Sequence, residues 1–396
     1  MKAMPELNTM MYLSLLLLGG LCCGRLVKHI KLPNVTGYLL AGLLMGPCVL
    51  KILPAETVAS FNLISQMALA FIAFTIGLSF KRSYFKRVGT APVVIAIFEA
   101  LAAVFLVQLV LVLAGFDPAF SIVLGAIAAA TAPAATIMVI KQYRAKGPLT
   151  DTLLSVVAID DAVALVAFGF AVTIAKTMTS AGETNLILSL LEPFGEVFLS
   201  LFIGLILGIL ITVPLKHFKK QGNRLVILIA FVFLSSSLAS LFGVSELLAC
   251  MMAGAAFCNI SPESDRMADL ADQITPPLFL MFFVVSGASL DISILPSIGV
   301  IGVIYVVVRV AGKIAGAYLG ARIMKTPSQV AKYLGPTLIP QAGVAIGLTI
   351  VAQSIVPEYA DTIRAVILCG TLIYELIGPV ITKWSLTKAG EIKIEG

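Results

Sequence analysis

Two carboxylates stand side by side in the run Val157-Ala158-Ile159-Asp160-Asp161-Ala162-Val163, flanked by apolar residues. A charge near the centre of a membrane helix costs roughly 2.5–3.5 kcal/mol on insertion scales. Two in succession therefore point to function rather than packing. Adjacent helical residues point about 100° apart, so the acids can face different partners while lining one cavity. A proton or a cation can neutralise a buried carboxylate, which makes the pair a proton- and cation-handling site. In the preceding run, Ala130-Thr131-Ala132-Pro133-Ala134-Ala135-Thr136, the proline removes an intrahelical hydrogen bond. The freed carbonyls and the Thr131 hydroxyl are oxygen ligands suited to an alkali cation. A matching interruption, Leu338-Ile339-Pro340-Gln341-Ala342-Gly343, follows later. Non-helical backbone at membrane depth is tolerated where it is buried in protein or lines a cavity. Paired interruptions in corresponding positions point to a binding site. A third feature is Arg309 and Lys313, four apart on one helical face in an apolar run. A buried Lys needs a partner or it loses its proton, and Asp160 and Asp161 are the acids expected to supply one. Arg309 is expected to snorkel or to serve another buried acid. Glu99, Glu246 and Glu375 lie in or near apolar runs. For these, pairing with Arg309 or a backbone group stands beside a transport role.

The elements that must hold these groups follow from composition. The chain has 396 residues, 59% hydrophobic and 12% charged, with mean hydropathy +1.05. Soluble chains are about 25% charged, so a soluble enzyme, a disordered protein and a nucleic-acid binder are excluded. The six Cys form no CxxC pair and read as small packing residues. No nucleophile, metal set or phosphate loop is visible, so neither catalysis nor a cofactor is expected. A crossing helix needs about 20 apolar residues. That rule gives about thirteen transmembrane spans: 10–29, 34–51, 60–80, 91–115, 119–141, 150–177, 188–214, 223–242, 244–260, 268–290, 295–322, 329–355 and 361–385. Gly243 separates two of them almost without a loop. The continuous apolar runs exclude a β-barrel, leaving an all-α polytopic membrane protein. On this count 21 of the 27 Lys and Arg fall on one side, Lys2, Lys51, Lys176 and Arg364 on the other, and Arg309 and Lys313 within a span. The excess of positive loop charge predicts an N-terminus outside and a C-terminus in the cytoplasm. A weak repeat accompanies the spans. Leu39-Leu40-Ala41 with Gly46 matches Leu247-Leu248-Ala249 with Gly254, Gly77 matches Gly287, and Pro133 matches Pro340, all at offsets of 207–210. The matched spans 34–51 and 244–260 are the second and the ninth, one running outward and the other inward, so the repeats are inverted, an architecture of secondary transporters.

Together these residues resemble the monovalent cation:proton antiporters, in particular the second branch with bacterial sodium/proton and potassium/proton exchangers. Leu32-Pro33-Asn34-Val35-Thr36-Gly37-Tyr38-Leu39-Leu40-Ala41-Gly42 with Gly46-Pro47 looks like that family's early-helix signature. Asp160-Asp161 matches its paired acids and Gly312-Lys313 its buried Lys, while Thr131-Ala132-Pro133 and Pro340-Gln341-Ala342-Gly343 look like its two crossed broken helices. The resemblance covers essentially the whole chain. It implies that Asp161 binds cation and proton in competition, that Asp160 pairs with Lys313, and that Thr131 and nearby carbonyls complete the cation shell. It also implies a dimerisation bundle with a mobile core (about 60–177 and 268–385), a homodimer, and a bacterial inner-membrane location. No soluble regulatory domain is expected. The activity expected is electrogenic exchange of sodium, with lithium or potassium as further substrates, for protons. The alternative is a potassium/proton antiporter working with a separate regulatory subunit. Against a passive channel stand the inverted copies and the lack of a filter repeat. Against an organic-anion symporter stands the acid pair with its Lys.

Overall fold

A computed structural model describes residues 8–29, 32–78, 80–81, 89–179, 186–290 and 299–392, and among these every regular element is a helix. Of the basic residues counted above, Lys2, Lys31, Arg82, Lys86, Arg87 and Lys393 lie outside the described residues. The first half runs α1 (Thr9–His29), α2 (Asn34–Met45), α3 (Ala55–Ser60), α4 (Asn62–Leu78), α5 (Ala91–Leu113), α6 (Pro118–Ile127), α7 (Pro133–Tyr143) and α8 (Pro148–Thr179). Then come α9 (Leu186–Leu210), α10 (Thr212–His217) and α11 (Gln221–Leu241). The second half runs α12 (Glu246–Ile260), α13 (Ser264–Ala288), α14 (Gly299–Ile323), α15 (Ser328–Thr337), α16 (Gly343–Ile355) and α17 (Ala360–Lys388). Each expected span holds a helix or a broken pair. Nine helical stretches among the described residues are long and apolar enough to cross a membrane; α2, α6, α12 and the Val344–Gln353 part of α16 are shorter.

Local chemistry sets the helix ends. Asp117 caps α6 by accepting from Phe120 N at 2.9 Å, ahead of Pro118 at the first helical position. Ser245 caps α12 through Leu248 N. Gly243, at φ +68, makes the tight turn between α11 and α12. The expected span 34–51 is shorter than read: its helix stops at Met45, before Pro47, and the chain folds back with Leu53 N on Met45 O at 2.8 Å.

The repeat is visible in the packing. α2 crosses α13, where a Cβ on Gly287 would lie 2.1 Å from Leu39 O. Its counterpart, α12, crosses α4, where a Cβ on Gly77 would lie 2.0 Å from Met251 O. The matched glycines are thus the places where one copy's backbone touches the other's. The acidic start of α13, with Glu263 just before it, binds three basic residues: Lys81 meets Asp265 at 2.6 Å, Lys141 of α7 meets Asp272 at 2.6 Å and Arg224 of α11 meets Glu263 at 2.5 Å. Three stretches assigned to one side by charge counting therefore share one end of the molecule. One reading needs correction. Cys250, Cys258 and Cys369 are buried as packing residues, but Cys22 and Cys48 are exposed.

Candidate functional site

The site begins where α6 gives out. After Ile127 the chain tightens, with Ala128 N, Ala129 N and Ala130 N each bonded three residues back at 3.0–3.2 Å. Pro133 forces the residue before it out of the helical region, and Ala132 is extended at φ −95, ψ 110. The second break, 338–342, meets the first: Ala132 N donates to Pro340 O at 2.8 Å. The two interrupted helices cross at this hydrogen bond.

Breaking a helix orphans its last carbonyls, and α14 satisfies them. The fully buried Arg309 donates from Nε to Ala128 O at 3.0 Å, from Nη2 to Ala130 O at 2.7 Å and from Nη1 to Ile339 O at 2.8 Å. It thus ties both breaks with one rigid fork and stacks over the Tyr374 ring at 4.6 Å. Gln341 Nε2 donates to Ile127 O at 2.9 Å, while Gln341 Oε1 accepts from Tyr305 Oη at 3.1 Å. Neither snorkelling nor a buried acid is Arg309's business. The cationic fork complements the negative ends of two half-helices.

Lys313, also fully buried, donates to Ala129 O and to Thr131 Oγ1 at 2.8 Å. Its nearest carboxylate is Glu99 Oε2 at 2.6 Å, with Asp160 Oδ2 at 3.4 Å; all three side chains are 0% exposed. The expected Asp160–Lys313 contact exists, but Glu99 is closer. Residue spacing could have found it. Gly312, Gly316 and Gly320 form a small-residue stripe on α14 that lets another helix approach closely, and a Cβ on Gly316 would lie 2.6 Å from Glu99 Cα. In the repeat, Glu99 also stands 210 residues before Arg309.

Asp161 faces elsewhere. It is 6% exposed, its Oδ1 has no hydrogen-bond partner among the described residues, and it lines a cavity of about 10 Å³ with Pro133, Ala73 and Met251. That volume is about the least that holds one water. The structure therefore gathers Asp160, Asp161, Thr131, Ala132, Pro133, Pro340, Gln341, Arg309 and Lys313 around one crossing. Glu246 stands apart and accepts from Ser236 Oγ. Glu375 lines a neighbouring cavity of about 20 Å³.

The model of the family described as sodium/hydrogen exchanger, transmembrane, matches residues 13–388. The chain belongs to the sodium/hydrogen exchanger family. Over 381 residues the exchanger is 25% identical to a Na(+)/H(+) antiporter of Enterococcus hirae, covering 94% of this chain and 97% of that one. Over 338 residues it is 24% identical to the Na(+)/H(+) antiporter NhaS4 of Synechocystis sp., covering 79% and 81%. Its fold matches that of the sodium proton antiporter MjNhaP1 from Methanocaldococcus jannaschii with a TM-score of 0.77, at 20% identity over 99% of this chain and 100% of that one. The exchanger is a multi-pass membrane protein of a transporter family, all-helical, with inverted repeats and two crossed broken helices. Sodium/proton exchange is the supported activity, and the potassium/proton alternative is not favoured.

Proposed function

We propose that the exchanger moves a sodium ion against protons by alternating access, with Asp161 as the shared carrier of cation and proton. One observation carries this reading: of two adjacent buried acids, each with an unpartnered Oδ1, Asp160 is within reach of Lys313, while Asp161 has no ion-pair partner among the described residues and lines a cavity beside the break at Pro133. An unpaired carboxylate in a dry setting needs a proton or a cation, and the two exclude each other on one group. Asp160 and Thr131 support the site. The carbonyls of 128–130 and Thr131 Oγ1 are all engaged by Arg309 and Lys313 in this conformation; Thr131, which also lines the cavity beside Pro133, is the side chain of the break assigned to the cation. Lithium or potassium would enter the same site.

The reading includes thirteen crossings, a mobile core of about 60–177 and 268–385 against a dimerisation bundle, and a homodimer. It also places the protein in the bacterial inner membrane with the N-terminus outside. A cytoplasm-active reporter fused after Gly396 checks the orientation; its failure there would reverse it. A mass measurement in mild detergent checks the dimer, and monomer alone would remove it. The central test is Asp161→Asn in proteoliposomes, which keeps shape and removes the exchangeable charge. The expected result is loss of sodium-dependent proton movement with a folded protein. Near-normal exchange would put the carrier site elsewhere.

A further inference from the structure

We infer that Glu375 is a second site for the exchanged ions, taking a proton or a dehydrated monovalent cation beside Asp161; the inference rests on the reading of Asp161 just given. Glu375 is 4% exposed, and its Oε1 has no hydrogen-bond partner among the described residues. It lines its cavity of about 20 Å³ with Thr131, Pro133, Phe282, Ala342 and Val344, room for about one water or one bare alkali ion. An ionised carboxylate there is costly unless something neutralises it.

The charged groups of the helices packed on α17 are occupied elsewhere. On α14, Arg309 serves carbonyls, Lys313 serves Glu99 and Asp160, and Arg322 bonds Tyr318. Lys141 of α7 pairs with Asp272, and Lys332 of α15 lies over Tyr333. Neither α2 nor α16 carries a charged side chain. On α17 itself, Lys383 lies over Tyr143. The other cations of α17, Arg364 and Lys388, stand 11 residues before and 13 after Glu375, about three turns or more away along the helix, and among the described residues no cation pairs with Glu375.

The repeat supplies an independent argument. α17 is the counterpart of α8, and Glu375 lies 214 residues after Asp161. The 207–210 offset matches Asp161 to positions 368–371, so Glu375 stands about one to two turns beyond the equivalent position on the same helix. Gly378, one turn onward, packs on Pro340, where a Cβ would lie 2.7 Å from the ring. Each half thus has an acid beside its own broken helix. The two cavities share Leu69, Pro133 and Leu247 as walls, so an ion leaving one acid has the other as its neighbour. The competing role is static: Glu375 would only balance the positive N-terminal ends of α7 and α16.

Sodium-22 binding to the purified full-length exchanger separates the two, together with exchange in proteoliposomes. The Asp161→Asn protein should retain weak sodium binding that protons suppress, and adding Glu375→Gln should abolish it. Glu375→Gln alone should raise the sodium half-saturation of exchange by about tenfold, the loss of one charge-assisted ligand. Wild-type half-saturation in Glu375→Gln overturns the proposal, as does residual binding that is absent in Asp161→Asn or survives in the double variant. Undiminished exchange by Asp161→Asn would instead defeat the carrier reading, an outcome read in a different assay. If Glu375→Gln does not fold, Glu375→Asp keeps the charge on a shorter arm. A shifted half-saturation then supports the site, and an unchanged one leaves only the static role.

Discussion

Lys313 has three N–H donors and four oxygens within reach, so the partner it holds tightest decides which acid is free to change its charge. Glu99 at 2.6 Å outranks Asp160 at 3.4 Å. Removing one partner of a buried pair costs about 3–5 kcal/mol, because the remaining charge is left uncompensated. Glu99→Gln should therefore lower the thermal unfolding midpoint in detergent more than Asp160→Asn does. The double variant Glu99→Gln with Lys313→Met should recover much of the loss. A larger drop from Asp160→Asn would make Asp160 the principal partner and reduce Glu99 to a bystander. Nothing in the local sequence around Glu99 distinguishes these outcomes, since Ile97-Phe98-Glu99-Ala100 reads only as an acid in an apolar run. The contact is tertiary, between residues 214 apart.

At the scale of elements, much of the site was legible because it depends on chemistry that is local along the chain. Pro133 and Pro340 cannot continue a helix, and both breaks fall where those residues predict. Asp160-Asp161 declares itself by its cost in an apolar run. The shorter α2 and the fate of Arg309 were less legible. Orphaned carbonyls leave no mark in sequence, so nothing there says that a guanidinium will be consumed by Ala128, Ala130 and Ile339 rather than by an acid. The matched glycines lie between these cases: the repeat flags them, and packing explains them. A methyl on Gly287 would enter the Leu39 carbonyl, and the resulting overpacking costs about 1–3 kcal/mol. Gly287→Ala should lower the unfolding midpoint, and Gly77→Ala should do the same by its pseudo-equivalent contact with Met251 O. Gly195→Ala, with open space around its Cβ position, is the control expected to change little. Equal midpoints for all three would mean that the crossings tolerate separation and do not hold the two repeats together.

At the scale of the whole molecule, the question is how much charge one transport cycle moves. One Asp exchanging a monovalent cation for one proton would be electroneutral. Here Asp160 lies beside the carrier, and its cationic neighbour is held more closely by Glu99. On the electrogenic reading, Asp160 releases a second proton when the cation binds. Two protons then cross for each sodium, and the net charge couples transport to membrane potential at about 2.3 kcal/mol per 100 mV. The bland alternative is a static cluster of Glu99, Lys313 and Asp160 that never titrates. Rate does not separate them, because Lys313→Gln should slow exchange under either reading. The null point does. Vesicles are clamped at set potentials with a fixed sodium gradient, and the pH gradient at which flux vanishes is found. For two protons against one sodium, that pH gradient should move with voltage. A null point indifferent to voltage would defeat the electrogenic reading and leave Asp160 as part of a brace. If voltage dependence is present, Asp160→Asn should remove it while leaving sodium coupled to a proton through Asp161, because the second titrating group is gone and the first remains.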